Sequence, residues 1–255
     1  MKIQNHIPDR DRAEIERSAA EARKTLLEPF DHSQIERYLD PPADTVYALE
    51  YAYHLLGDVR GKVVLDLGCG TGENIIPLIE RGAHVIGIDI SPDLVVLAQE
   101  RVKAANLQAT IQVGSAYETG LPDGSVNVIF CMSLIHHLEI ARVRDEMRRI
   151  LTHDGSIILK EPIRFSPGYD RLRNLLPSRD NISEYEHPIT RDELSVMMQS
   201  FRVEGTRYFR LPIVPVVSRI FPSGVDVARR ASNWLLQRVP ATSHYATGIV
   251  MRLRK

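Results

Sequence analysis

The chain has 255 residues, with 32 Lys+Arg against 33 Asp+Glu and a formal net charge of −1. It is 44% hydrophobic and 25% charged, which excludes a wholly disordered chain or a fibrous repeat. A chain of this length buries roughly 75% of the surface its unfolded form exposes, so its core needs no staples.

Met1-Lys2-Ile3-Gln4-Asn5-His6 has no apolar run of the signal-peptide kind, and no signal peptide is expected. Residues 9–29 are rich in Ala, Glu and Arg, the pattern of an exposed helix. Asp40-Pro41-Pro42 predicts a turn. Val46, Leu49, Tyr53 and Leu56 recur at helical spacing over 44–57. Residues 1–60 therefore read as a helical preface to a domain over 61–255.

From residue 62 the pattern changes. Val63-Val64-Leu65-Asp66-Leu67 is a buried-strand run ended by glycines, and a helix over 73–81 follows, closed by Gly82. Residues 85–89 form a second strand. Ser91-Pro92-Asp93 supplies an N-cap, a proline at the first helical position and an early acid. The helix it starts has Leu94, Leu97, Ala98 and Val102 on its apolar face. Residues 109–113 and 126–131 are the third and fourth strands. Residues 138–151 are helical, Asp154-Gly155 turns the chain, and 156–161 is a fifth strand. Strands alternating with helices imply a parallel sheet covered on both faces.

The remainder is less regular. Residues 162–190 hold four prolines and little periodicity. A helix over 191–201 and strands over 202–210 and 247–254 complete the pattern. An insertion, 211–243, separates those strands. It joins an apolar stretch, too short to span a bilayer, to a helix over 225–238.

The loop after the first strand reads Asp66-Leu67-Gly68-Cys69-Gly70-Thr71-Gly72. Its glycines permit a tight turn and let a ligand approach the backbone. Asp89 ends the second strand, where an acid accepts hydrogen bonds from ribose hydroxyls. A dinucleotide would set its pyrophosphate here through G-x-G-x-x-G, but Glu73 stands at the last position of that pattern. Glu73 and Asp66 would repel a pyrophosphate. They would attract S-adenosylmethionine, which carries a sulfonium and an ammonium.

The stretch Val63 to Gly72 resembles the first motif of class I S-adenosylmethionine-dependent methyltransferases. Val85-Ile86-Gly87-Ile88-Asp89-Ile90-Ser91 resembles their second motif. Leu121-Pro122-Asp123-Gly124-Ser125-Val126-Asn127-Val128-Ile129 resembles the approach to their fourth strand. Met147-Arg148-Arg149-Ile150-Leu151 with Asp154-Gly155 resembles the approach to their fifth. The likeness spans roughly residues 60–161. It implies an α/β fold, a doubly wound, Rossmann-like seven-stranded sheet with six parallel strands and one antiparallel. N-terminal helices and the insertion between the last two strands would complete it.

The resemblance also implies roles. The backbone at Gly68, Cys69 and Gly70 would hold the methionine part of the cofactor. Asp66 would orient the loop and balance the ammonium. Asp89 would bind the ribose diol and Ile90 would pack on adenine. Ser115 and Ala116 would flank the adenine edge, although many relatives carry an acid where Ser115 stands. Asn127 replaces a common Asp and reads as structural. Cys69 and Cys131 would be free thiols near the cofactor. Two cysteines suit a reducing cytosol, and no His/Cys cluster has metal-ligand spacing.

Methyl transfer needs alignment, and a general base helps when the acceptor must lose a proton. Candidates follow strands four and five. His137 stands where several small-molecule methyltransferases carry an active-site histidine. His136 precedes it, and adjacent side chains there point in different directions. Glu161 ends the fifth strand. Tyr38, Tyr185 and His187 are candidates for the acceptor side.

In the insertion helix, Ala228, Ala231, Trp234 and Leu235 share one side, with Arg229, Arg230 and Gln237 mostly on another. Packing on the domain, a homodimer interface, a lid and contact with anionic lipid all fit this pattern. Charge is distributed unevenly. Residues 1–200 hold 22 basic and 31 acidic residues, whereas 201–255 hold 10 basic and 2 acidic. A membrane surface or an anionic small molecule is thus a better partner than nucleic acid, for which no binding motif is present. The expected function is cytoplasmic methyl transfer to a small molecule, apolar or lipid-like. The alternatives are an NAD-dependent oxidoreductase and a non-catalytic S-adenosylmethionine-binding regulatory protein.

Overall fold

A computed structural model describes residues 9–22, 32–166 and 187–255. It contains β1 (Val63–Leu67), β2 (His84–Asp89), β3 (Thr110–Val113), β4 (Val126–Met132), β5 (Leu151–Pro162), β6 (Arg202–Phe209) and β7 (Gly248–Arg254). These seven strands are hydrogen-bonded in the order β3-β2-β1-β4-β5-β7-β6. β1 runs parallel to β2 and β4, and β2 parallel to β3. β6 and β7 form an antiparallel pair. The order reverses between β1 and β4, the kind of switch point beside which open α/β sheets bind ligands.

The chain sorts into two compact units. The first comprises Met1–Leu39, Asp58–Cys131 and Arg142–Ser156. The second comprises Asp40–Gly57, Met132–Ala141 and Ile157–Lys255. Residues 1–60 are thus shared between the two.

In the first unit, Val64, Leu65, Leu67, Ile129 and Phe130 are buried in the sheet. Asn127 serves the sheet, its Oδ1 accepting the Val63 N–H at 2.9 Å. Helix α5 (Pro92–Ala104) begins as its sequence predicts, with the Leu94 N–H donating to Ser91 Oγ at 3.4 Å. Helix α1 (Asp9–Ala22) packs against α5 and buries Ser18, so it is less exposed than its composition suggests. Helix α6 (Ile140–Ile150) buries Val143, Met147 and Ile150. Its Glu146 accepts from the Thr119 N–H and hydroxyl and from Arg149, pinning the loop before β4. β5 starts five residues earlier than expected but keeps the turn. A Cβ at Gly155 would lie 2.8 Å from the Leu151 side chain and 3.0 Å from the Thr152 carbonyl oxygen, so the chain doubles back there.

In the second unit, helix α3 (Ala48–Leu56) buries Ala52, Tyr53 and Leu56. The organising group is Arg207 of β6, a buried guanidinium. It donates to the Ala43 and Thr45 carbonyl oxygens at 2.6 and 2.8 Å and to Asn233 Oδ1 at 2.7 Å. The rings of Tyr51 and Phe209 flank it, each centroid 4.9 Å away. A buried cation needs this enclosure of acceptors and ring faces.

Two helices form the insertion, Ile213–Ile220 and Val225–Arg238. The second departs in part from the polarity its sequence suggests, since Arg230 and Gln237 are exposed as expected but Ala231 and Trp234 are not buried. Ser232, Asn233 and Leu236 are buried, whereas Val227, Ala231 and Trp234 are exposed. The cause is the surface it meets. Asn233 answers Arg207, and Ser232 Oγ accepts the Leu211 N–H at 2.8 Å. Among the described residues, no helix is long and apolar enough to cross a membrane.

Candidate active site

The first unit supplies an acidic loop. Asp66 lies one residue before the end of β1 and is 0% exposed. Neither of its carboxylate oxygens has a hydrogen-bond partner among the described residues. Burial, and then the charge of Asp89, pushes its pKa up to about 8. Asp89 is also raised, mainly by burial, against bonds from Ser91 and Gly70 and with the charge of Glu14 adding to it. Its Oδ2 accepts the Gly70 N–H and its Oδ1 the Ser91 N–H, both at 2.9 Å. Asp89 therefore ties the loop to the start of α5.

Three further N–H groups of the loop are also engaged. The Gly68 and Cys69 N–H groups donate to the Ile88 carbonyl oxygen at 2.8 and 3.0 Å, and the Gly72 N–H donates to that of Cys69 at 2.9 Å. The loop thus presents carboxylates and carbonyl oxygens, with its N–H groups at 68, 69, 70 and 72 satisfied internally. That suits a cation and gives a pyrophosphate little to hold. Gly70 has φ +52, and a Cβ there would meet nothing within 4 Å, so space lies open beside the loop. Glu73 is exposed and 3.9 Å from Arg101.

The other residues expected at the cofactor vary in setting. Ile90 and Ala116 are half-buried. Ser115 Oγ accepts the Tyr117 N–H at 3.2 Å. Cys69 and Cys131 are buried and form no disulfide. Burial first, then Asp66 and Asp89, pushes the Cys69 thiol up, so it is protonated and inert.

The second unit holds a cavity of about 420 Å³. Glu161, one residue before the end of β5, is 3% exposed. Its Oε1 accepts the Leu134 and Ile135 N–H groups at 2.8 and 2.9 Å, and its Oε2 lies 2.8 Å from His136 Nδ1. Both Glu161 and His136 line the cavity. His137 does not line it; it is half-buried, its ring 4.0 Å from that of His136. A carboxylate on Nδ1 fixes that nitrogen as the donor and leaves the basic lone pair on Nε2.

Tyr38 belongs to the first unit, half-buried, with its carbonyl oxygen accepting from Arg81 at 2.7 Å. His187 is exposed, its Nε2 3.6 Å from Glu193. Tyr185 lies outside the described residues. Sequence reasoning did not single out Ser133, Lys160, Arg210 or Asn233, which line the cavity. The available signal was Ser232-Asn233 inside a helix, where polar residues without a capping role imply a polar partner.

A family model described as a methyltransferase domain matches residues 64–155. The magnesium-protoporphyrin O-methyltransferase of Rhodobacter capsulatus is 30% identical over 167 residues, 64% of this chain and 72% of that protein. An uncharacterized methyltransferase of Mycobacterium tuberculosis (strain ATCC 25618 / H37Rv) is 31% identical over 146 residues, 57% of this chain. The match spans 58% of that relative's length. The geranyl diphosphate C-methyltransferase of Streptomyces coelicolor A3(2) has been solved with Mg2+, geranyl diphosphate and S-adenosyl-L-homocysteine. It shares the fold with a TM-score of 0.64 at 14% identity, covering 97% of this chain and 98% of that one. The chain belongs to the class I S-adenosylmethionine-dependent methyltransferases.

The loop fits that family's cofactor. A buried carboxylate without a protein partner is costly unless it takes up a proton or a cation from outside compensates its charge. The ammonium and sulfonium of S-adenosylmethionine are such cations.

The raised pKa of Asp66 has a consequence for stability. Between its ordinary value of 3.8 and about 8, the folded protein holds a proton that the unfolded chain has lost. Stability therefore falls as pH rises through that window and levels off above it. Thermal melts of Asp66→Asn should lose this slope, matching wild type near pH 4 and melting higher at pH 8. The same variant should bind S-adenosylmethionine at least tenfold more weakly by calorimetry.

Proposed function

We propose that the protein transfers a methyl group from S-adenosylmethionine to a small acceptor with an apolar body. The observation that carries this reading is the buried Glu161–His136 pair in the wall of the cavity. Val46, Phe209 and Ile249 give that cavity apolar walls. The named Rhodobacter capsulatus relative, a magnesium-protoporphyrin O-methyltransferase, supports a small-molecule acceptor.

S-adenosylmethionine, when bound, supplies a methyl carbon on a sulfonium whose C–S bonding pair returns to sulfur. Asp66, itself enclosed, would balance its positive charge without touching it, and Asp89, which keeps the loop folded, would offer spare lone pairs to the ribose. His136 Nε2 takes the proton that the acceptor atom loses as its bond to the methyl group forms. Glu161 holds the ring in the required tautomer and stabilises the imidazolium that results. In this reading the proton-accepting role belongs to His136, and His137 supports its neighbour by ring contact.

The insertion supports a second contact, with an anionic membrane surface. Its outward face carries Ile220 at 77% exposure, Phe221 at 62%, Val227 at 71% and Trp234 at 58%. Arg230 and Arg238 share the exposed side of the second helix. Apolar residues bordered by arginines on an exposed helix are suited to lie in a lipid interface.

Two measurements test these readings. With radiolabelled S-adenosylmethionine and a metabolite extract, wild type should label a small molecule. His136→Gln should label it at least about a hundredfold more slowly with cofactor affinity unchanged, and His137→Ala should keep most activity. Equal labelling by His136→Gln would remove the pair from the chemistry. In flotation with anionic vesicles at low salt, wild type should float, and Trp234→Ala combined with Arg230→Gln and Arg238→Gln should not. Wild type that stays at the bottom would rule out the membrane contact.

A further inference from the structure

We infer that the cavity of the second unit selects an acceptor whose apolar body bears an anionic oxyanion group, a carboxylate or a phosphate, held by Arg210 and Arg229. The inference rests on the methyltransferase reading and adds a substrate class to it.

Charge gives the first argument. Lys160, Arg210 and Arg229 line the cavity, and Glu161 is its one lining carboxylate among the described residues. Glu161 is committed to Leu134, Ile135 and His136. Lys160 Nζ donates to Ser133 Oγ at 2.7 Å. The lining therefore carries an excess of positive charge, which disfavours a cationic acceptor and attracts an anion.

Backbone geometry gives the second. Among the described residues, three non-glycine positions have positive φ, and two of them, Ser133 and Arg210, line this cavity, each with φ 58. Such a conformation is uncommon for a residue with a Cβ, and it gathers at ligand clamps. Thr247 holds Arg210 in it. The Thr247 N–H and hydroxyl donate to the Arg210 carbonyl oxygen at 2.9 and 3.0 Å. Arg210 Nε donates back to Thr247 Oγ1 at 3.0 Å. The guanidinium is thus anchored through Nε, and no carboxylate among the described residues pairs with it. Its terminal nitrogens keep the fork that matches a carboxylate or a phosphate.

Arg229 stands beside the ring of Tyr47, 5.4 Å from its centroid. Its carboxylate partner is Asp226, at 3.5 Å and 65% exposed. An exposed pair of this kind is weak and yields readily to a better anion.

The test is calorimetry on the full chain in the presence of S-adenosylhomocysteine, with octyl phosphate, octanol and inorganic phosphate as probes. Octyl phosphate should bind at least tenfold more tightly than either of the others, and added salt should weaken it. Arg229→Gln should lower its affinity at least tenfold. Arg210→Gly should do the same while keeping or raising the melting temperature, since glycine accepts the left-handed backbone. Octanol binding as tightly as octyl phosphate would overturn the anionic group, and inorganic phosphate doing so would overturn the apolar body. Undiminished binding by both variants would overturn the two arginines as its holders. Failure of S-adenosylhomocysteine itself to bind would instead strike the methyltransferase reading.

Discussion

Two buried carboxylates, each one residue short of the end of its strand, are accommodated in opposite ways. Asp66 is buried and has no hydrogen-bond partner among the described residues. Glu161 is equally enclosed and accepts from two backbone N–H groups and an imidazole. Burying a carboxylate is expensive unless it is matched. The unmatched one holds its proton to about pH 8 instead. The matched one fixes the orientation of the His136 ring in the cavity wall. In the loop around Asp66, the N–H groups at 68, 69, 70 and 72 are spent internally.

The second unit is organised in the same way around a buried cation. Arg207 gathers the carbonyl oxygens of Ala43 and Thr45 and the side chain of Asn233. That demand for acceptors turns the polar side of the Val225–Arg238 helix inward, and Arg229, Ser232 and Asn233 become cavity wall. The same rotation leaves Val227 and Trp234 outside. One buried guanidinium thus draws Asn233 into the interior while Trp234 beside it stays exposed.

Much of the first unit was legible in the sequence, because its signals are local. Strand runs, the Ser91-Pro92 cap and the glycine loop each depend on a few neighbouring residues. Asn127 read as structural, and it bonds to Val63. Helix α1 was the exception there, since composition alone does not reveal that α5 lies against it. The second unit was harder. His136 and Glu161 were both candidates, but only the turn at Ile135–His137 decides which of two adjacent histidines meets the cavity. The insertion helix misled because amphipathic reasoning assumes an apolar interior, whereas Arg207 made this one polar. Arg210 gave no sequence signal at all, since what sets it apart is a left-handed backbone conformation braced by Thr247.

The account stands on the claim that an acidic loop selects a cationic cofactor over a dinucleotide. Calorimetry of the intact protein with S-adenosylmethionine and with NAD tests it most directly. The account predicts one site for S-adenosylmethionine and no detectable heat of binding for NAD. A site for NAD, or none for S-adenosylmethionine, would contradict it.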